Sequence, residues 1–578
     1  MAKDRQQHWL VCALVWGCFA LVFTALTIGS SLQKSPTFDE SYHLFAGYSH
    51  LTRGDFRIYP EHPPLAKILA ALPLLALDVK YPRLSGSDRT PDNWWLRAHH
   101  MVFQGNDAEP LFFYARLPMI ALGLLLGVVV YLWANELYGA VEAIAALFLF
   151  CLDPNTLAHT PILHTDIPFT TFFFISTYFL WRTWVRLTWL NLFLVSLFFG
   201  LGVITKDSFL VIPTIWGTLG LLIVFSSQPL RSAITRPEIV HGRWEKTILL
   251  MVILGSAVIT AYLFVWAAYG FRFDAGPEGQ DHLSLAYVTA GKPLLQKLAS
   301  FSAQNQLFPE AWTYGLLYVL KFLNRPAYLM GHVSEDGFWL YFPVVFAVKT
   351  PLPMLLLLLA TLGIWLLRRR TRMPDFFLLI PVVIYFSFAV WSRMNIGLRH
   401  LLPIYPFLFV LAGGTAVELW ASGRRSLRLG LLFLGLWYLW SSVNIYPHYL
   451  AFFNEFAGGA KNGYKVLADS SLDWGQDLKG LKRWMDQNGV KKIRLAYFGT
   501  ADPIYYGIDA VYMPGSLIFS PRPESKNPEA PRYIAVSATY IYGVDSGKPL
   551  KEFYKPLRFR KPVATIGHSI FIYRLDSG

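Results

Sequence analysis

The chain has 578 residues, of which 54% are apolar, 16% aromatic and 15% charged. Soluble domains carry roughly 45–50% apolar and about 25% charged residues, so this composition excludes a disordered, collagen-like or coiled-coil chain and argues against a purely soluble enzyme. The 51 basic residues outnumber the 37 acidic ones, giving a formal charge of +14, a surplus that points to nucleic acid in a soluble protein but collects in cytoplasmic loops when the solvent is lipid.

Apolar runs of about 20 residues, long enough for a ~30 Å hydrocarbon core, predict eleven membrane helices. They lie near 9–31, 114–137, 140–158, 166–184, 188–205, 207–226, 247–269, 350–367, 375–392, 400–420 and 427–445. The first has no long basic region before it and no small-residue cleavage site after it, so it reads as a retained helix. Cys12, Cys18 and Cys151 all sit in these runs, which leaves neither a disulfide framework nor a cysteine metal site.

Charge sorts the connections. Lys3 and Arg5, Arg182 and Arg186, Arg231, Arg236, Arg243 and Lys246, Arg368, Arg369, Arg370 and Arg372, and Arg424, Arg425 and Arg428 fall on alternate loops. The positive-inside rule assigns that set to the cytoplasm. The N-terminus is then cytoplasmic, and the segments 32–113, 270–349 and 446–578 face the opposite side. Topology thus absorbs most of the +14, and nucleic acid is not implied.

The last segment changes character, because nothing in it is apolar enough to span. Leu478, Leu481, Trp484 and Met485 predict a helix over 474–488, with Asn488-Gly489 as its stop. Runs at 492–498, 532–538 and 565–573 predict strands. The fold class is therefore an α-helical polytopic membrane protein, with about eleven transmembrane helices over 1–445 and an extracytoplasmic α/β domain over 446–578.

Candidate chemistry gathers at the non-cytoplasmic ends of the helices. Asp39 and Glu40 follow the first span; neighbours on a helix diverge by about 100°, so one can face a cavity while the other braces the chain. Asp39 can equally N-cap a helix over 40–43. Pro63-Pro64 sets Glu61 and His62 on an extended lead-in to a helix starting at Leu65, with Lys67 on its first turn. Glu61 beside His62 is a weak metal signal. Arg116 opens the second span, Asp166 the fourth, Lys206 and Asp207 lie between the fifth and sixth, and Arg393, Arg399 and His400 between the ninth and tenth. Each alone reads as a snorkelling or paired charge; together they form a set of cations able to hold a lipid-linked phosphate. Trp94, Trp95, His99 and His100 read first as an interfacial aromatic belt, and second as a stacking surface for a sugar or lipid.

FDESYH at 38–43, Gly54-Asp55, HPPLAK at 62–67 and YARLP at 114–118 resemble the GT-C glycosyltransferase superfamily, in particular the dolichyl-phosphate-mannose–protein mannosyltransferases and the lipid A aminoarabinose transferase. AVKTPLP at 347–353, NIGLRHLLPIYPFL at 395–408 and DSSLDWGQDLK at 469–479 resemble a bacterial and archaeal branch. The resemblance implies inverting transfer of a sugar from a polyprenyl-phosphate donor to a protein, lipid or polysaccharide acceptor outside the cytoplasm, at a cell membrane. It makes Asp39 the catalytic carboxylate and Glu40 the support of its loop. Arg116, Lys206 and Arg399, with His62 and Lys67 at the entrance, would hold the donor phosphate; Asp166 and His400 would be secondary polar groups. Glu61 matches a metal-ligating Glu of the aminoarabinose transferase, which leaves room for zinc. The tail departs from the mannosyltransferases, whose lumenal module lies mid-chain, and this puts a protein acceptor in doubt.

Two other classes compete. A transporter or flippase of lipid-linked sugars would show internal repeats and midplane charges, and neither is seen. A non-catalytic scaffold would not need the intact set of site residues.

Overall fold

Every one of the eleven apolar stretches is helical in the computed structural model, which describes residues 2–82, 93–234, 238–277, 282–368, 373–517, 519, 530–543 and 548–575. Arg236, Arg369, Arg370 and Arg372 of the basic loops lie outside the described residues. The protein is a multi-pass membrane protein carrying a small C-terminal sheet domain.

Among the described residues, seven helices are long and apolar enough to cross a membrane: Leu14–Leu32, Ala108–Leu137, Asp207–Phe225, Arg243–Ala268, Met373–Ser392, Leu398–Ala421 and Arg425–Ile445. Tyr341–Lys349 and Leu352–Leu367 add an eighth as a pair bent by 112°. The difference from eleven has local causes. The predicted 140–158 helix breaks after Cys151, because Asp153 accepts from Thr156 N at 2.7 Å and Pro154 opens the separate turn Pro154–His159. Trp189–Val203, at 15 residues, is also short for a span. Asp166–Val185 lies deep in the bundle, its Thr171, Ser176, Thr177 and Thr183 hydroxyls bonded back to the preceding turn.

The C-terminal domain is built on a five-stranded sheet in the order Ala510–Tyr512, Ile493–Ala496, Tyr533–Ser537, Ile570–Arg574, Ala564–Ile566. The first two pairings are parallel and the last two antiparallel. The predicted 565–573 strand is thus a hairpin with its break at Gly567, and 510–512 is a strand that the sequence pattern did not signal. The predicted 474–488 helix starts late, at Leu478, and ends at Gln487 before Asn488-Gly489. Its missing first turn is a tight loop in which Trp474 N donates to Gln476 Oε1 at 2.8 Å. Gly475 in that loop has φ +84°, and a Cβ there would meet Phe498 O at 2.8 Å, so only glycine fits.

That loop straps the domain to the bundle. Phe38 N donates to Trp474 O at 2.8 Å and Ser35 N to Gln476 O at 3.0 Å. Lys34 pairs with Asp477 at 2.6 Å, and Lys479 with Glu109 at 2.5 Å. On its other side, Ser470 Oγ donates to Ile396 O, and Lys349 Nζ donates to Leu450 O and Ser471 O at 2.8 and 2.7 Å. One short segment therefore fixes both the 34–39 loop and the turn before Arg399.

Helices Glu40–Arg53 and Leu65–Ala71 cross closely at Gly47, where a Cβ would stand 2.0 Å from Lys67 O. Backbone cannot yield as a flexible side chain does. Gly47→Ala is expected to destabilise the protein by roughly 1–3 kcal/mol, read as a lower thermal midpoint of the purified protein.

Candidate active site

Asp39 occupies the N-cap position of helix Glu40–Arg53, yet its side chain makes no capping bond. The carboxylate turns instead into a cluster of charged groups. Arg399 Nη1 and His164 Nε2 each lie 3.8 Å from Asp39 Oδ2. Arg399 Nη1 also donates to His164 Nε2 at 2.7 Å. A guanidinium can only donate, so Nε2 accepts and the ring proton resides on Nδ1, 2.8 Å from Asp166 Oδ2. Burial, the largest influence, keeps His164 below the usual imidazole range, in keeping with this neutral ring. Lys206 Nζ donates to Asp166 Oδ1 at 2.5 Å.

Within this cluster the carboxylates differ. The Asp166 side chain is 3% exposed and held by Lys206, whereas the Asp39 side chain is 18% exposed and, among the described residues, has no partner closer than 3.8 Å. Asp39 is thus the open acceptor and Asp166 the closed brace. The indole of Trp474, from the C-terminal domain, lies 4.5 Å from the Arg399 guanidinium carbon and 5.5 Å from the His164 ring. His43, fully buried, sits 4.7 Å from both His164 and Tyr59, with neither ring nitrogen bonded.

Glu40 points the other way. Its two oxygens accept from Arg116 Nε and Nη2 at 2.8 Å each, from Thr37 N at 2.7 Å and from Leu163 N at 3.2 Å. Burial pushes this carboxyl up, but Arg116 and the backbone donors outweigh it and leave it below its ordinary value. Arg116 also donates to Ser31 O and is consumed by this brace. The structure thus separates Arg116 from the cations that face Asp39.

The remaining predicted residues divide similarly. Lys67 Nζ donates to Tyr59 O and His62 O at 2.6 Å each, so it holds the 59–62 turn together. His62 Nδ1 lies 3.3 Å from Asp207 Oδ2, with its ring 6.0 Å from His164, at the edge of the cluster. His400 Nε2 is buried without a partner and stands against Phe342. The Trp94–His100 stretch is packed rather than displayed at an interface. Trp94 is buried beneath Arg97, Trp95 meets Phe38 edge-on and packs against Tyr42, and His99 Nε2 meets Asp502 Oδ2 at 3.2 Å.

Among the described residues, one group offers three ligand atoms within 4.8 Å of each other: Asp274, His282 and Glu310. Glu61 is not in it, so the geometry brings no ligand set to Glu61. Both oxygens of Glu310 already accept from Ala275 N and Leu283 N. The sequence reading passed over His164, His43 and Trp474. His164 was signalled by its place two residues before Asp166; Trp474 lies inside the 469–479 motif but was not linked to the site.

Burial lifts the Glu61 carboxyl to about 7, against the pull of Arg325, while it drops the Lys67 ammonium to about 7, against the pull of Glu61. A carboxyl raised on folding supplies stability below its unfolded value and loses it as pH rises through its folded one. Glu61→Gln is therefore expected to gain thermal stability relative to wild type as pH rises from about 4.5 to about 7. Glu40→Gln leaves Arg116 buried without its anion and is expected to cost roughly 3–5 kcal/mol, seen as a large drop in thermal midpoint.

Comparison with known proteins gives a match between residues 92–252 and the family described as dolichyl-phosphate-mannose-protein mannosyltransferase. None of the curated proteins matches the chain in sequence. Among solved structures, the oligosaccharyltransferase of Archaeoglobus fulgidus in its apo form is 14% identical, with a TM-score of 0.46 over 94% of this chain and 72% of its own. ArnT from Cupriavidus metallidurans bound to undecaprenyl phosphate is 12% identical, with a TM-score of 0.48 over 98% of both chains. The Saccharomyces cerevisiae Pmt1-Pmt2 complex bound to its sugar donor is 15% identical, with a TM-score of 0.34 over 46% of this chain and 34% of its own. With TM-scores below 0.5, these likenesses transfer no detail to this chain. Over residues 92–252 the chain is similar to the dolichyl-phosphate-mannose-protein mannosyltransferases, one of the families it resembles in sequence.

Proposed function

We propose that this protein transfers a sugar from a polyprenyl-phosphate donor to an acceptor at the membrane face where the C-terminal domain stands. The observation that carries this reading is the pairing of one open carboxylate, Asp39, with Arg399 at 3.8 Å and with Lys206 behind Asp166. In a single in-line displacement the acceptor oxygen bonds to the anomeric carbon as the bond from that carbon to the phosphate oxygen breaks. Asp39 orients the acceptor hydroxyl and takes its proton. The leaving group is already a phosphate, so cations rather than a strong acid are needed to offset its charge. Arg399 and Lys206 fill that role, with His62 at the edge. Asp166 and His164 keep the two cations in place, while Glu40 with Arg116 and Lys67 hold the loops. One attack with one departure inverts the anomeric centre.

The orientation follows from charge. Arg186, Arg231 and Arg424 lie in connections and Arg243, Arg425 and Arg428 in the first turns of the helices that follow, at the opposite helix ends in chain order from the residues of this cluster, and such basic connections face the cytoplasm. The N-terminus is then cytoplasmic, and the site and the C-terminal domain are extracytoplasmic, in a cell membrane. The charges gather at one end rather than at the midplane, which favours transfer over transport. Nothing in the displacement requires zinc, and the acceptor stays open among protein, lipid and polysaccharide.

Asp39→Asn is expected to reduce transfer by roughly 10²–10⁴-fold while membrane abundance stays at the wild-type level. Mass spectrometry of envelope glycans and glycoproteins from cells making wild type, the variant or no protein reads this out. A variant that restores the wild-type glycan pattern would reject Asp39 as the base.

A further inference from the structure

We propose that Trp474, contributed by the C-terminal domain, is a positioning residue for the donor phosphate, acting through Arg399. This rests on the reading of a polyprenyl-phosphate donor given above. Arg399 is short of fixed partners. Its Nη1 donates to His164 Nε2, its Nε is buried without a partner, and no bond from Nη2 to protein occurs among the described residues. One hydrogen bond does not fix a planar guanidinium, which can still rotate about it. The Trp474 indole, 4.5 Å from the guanidinium carbon, supplies the missing constraint by stacking against it. The unspent N–H groups are then kept for an anion instead of turning toward Asp166, whose Oδ2 lies 4.0 Å from Nη1.

The residue is itself held through its main chain. Trp474 O accepts from Phe38 N, directly before Asp39, and Trp474 N donates to Gln476 Oε1. The side chain is 2% exposed. Thr500 Oγ1 donates to Phe38 O at 2.6 Å, and Phe38 stacks on Phe498 at 5.1 Å. The same residue therefore sets the backbone entering Asp39 through its main chain and Arg399 through its ring. The distance between base and cation is fixed by the docking of the C-terminal domain, and the site is incomplete without that domain.

The test uses the full-length protein in nanodiscs, with undecaprenyl phosphate as the probe and native mass spectrometry as the readout. Wild type is expected to bind, Trp474→Leu to bind about tenfold more weakly, and Trp474→Phe, which keeps a ring, to stay within threefold of wild type. Arg399→Lys should also bind more weakly, and the Arg399→Lys, Trp474→Leu double variant no more weakly than Arg399→Lys alone, since the ring acts only through the guanidinium. A purely structural tryptophan would give additive losses. Should Trp474→Leu not fold, Trp474→Met takes its place in the series. Wild-type-like binding by Trp474→Leu, additive losses in the double variant, or a Phe variant as weak as the Leu variant would each overturn the proposal. Failure of wild type to bind would instead overturn the donor reading, and the proposal with it.

Discussion

The buried Glu40–Arg116 pair is the constraint on which the arrangement around Asp39 depends. Glu40 is fully buried, and its bidentate bond to Arg116 joins the helix after the first span to the second span. Taking two charges out of water is expensive, and the cost is offset only when the remaining lone pairs are also satisfied. Thr37 N and Leu163 N meet that condition. The helix that begins at Glu40 therefore has one rotational setting. With Glu40 turned inward, the divergence between consecutive helical side chains leaves Asp39 facing Arg399 and His164. The adjacent carboxylates differ because one is already fully bonded.

Much of this was legible in the sequence. Each of the eleven apolar runs falls on helical structure, although the 140–158 run is broken in two, and the Pro63-Pro64 step located the start of the helix carrying Lys67. Adjacency alone shows that Asp39 and Glu40 can point different ways; which of them turns inward is seen only in the Arg116 contact. The count of spans was not legible, because length and apolarity are properties of a whole helix, whereas the break at Asp153 is made by one side chain reaching Thr156 N. Nor was the allocation of cations readable. Arg116, Lys67 and Lys206 are all basic residues near helix ends, and only tertiary placement shows that Arg116 serves a carboxylate, Lys67 two carbonyls and Lys206 Asp166.

His164 and Trp474 were missed for a related reason. A histidine two residues before an aspartate, or a tryptophan in a turn, has no periodicity and no metal spacing to betray it. What makes them members of the site is a contact with Arg399, a residue 235 positions from His164 in the chain. Sequence patterns report the elements; a site assembled from five separate segments is reported only by the way they pack.

The C-terminal domain fits into the same logic. A soluble appendage on a membrane protein is ordinarily free to rotate on its linker. Here the 469–479 segment is tied on one side to the 34–38 loop and on the other to the turn at 396–398, by backbone bonds and by Lys34 with Asp477. Burial pushes Asp477 upward, yet Lys34, His448 and the Ser569 hydroxyl outweigh it and leave the carboxyl below its ordinary value. The loop bearing Asp39 and the turn bearing Arg399 come from opposite ends of the membrane region in sequence. A single strap that grips both keeps their separation constant while lipid moves around the helices, which is the stiffness that the proposed displacement demands.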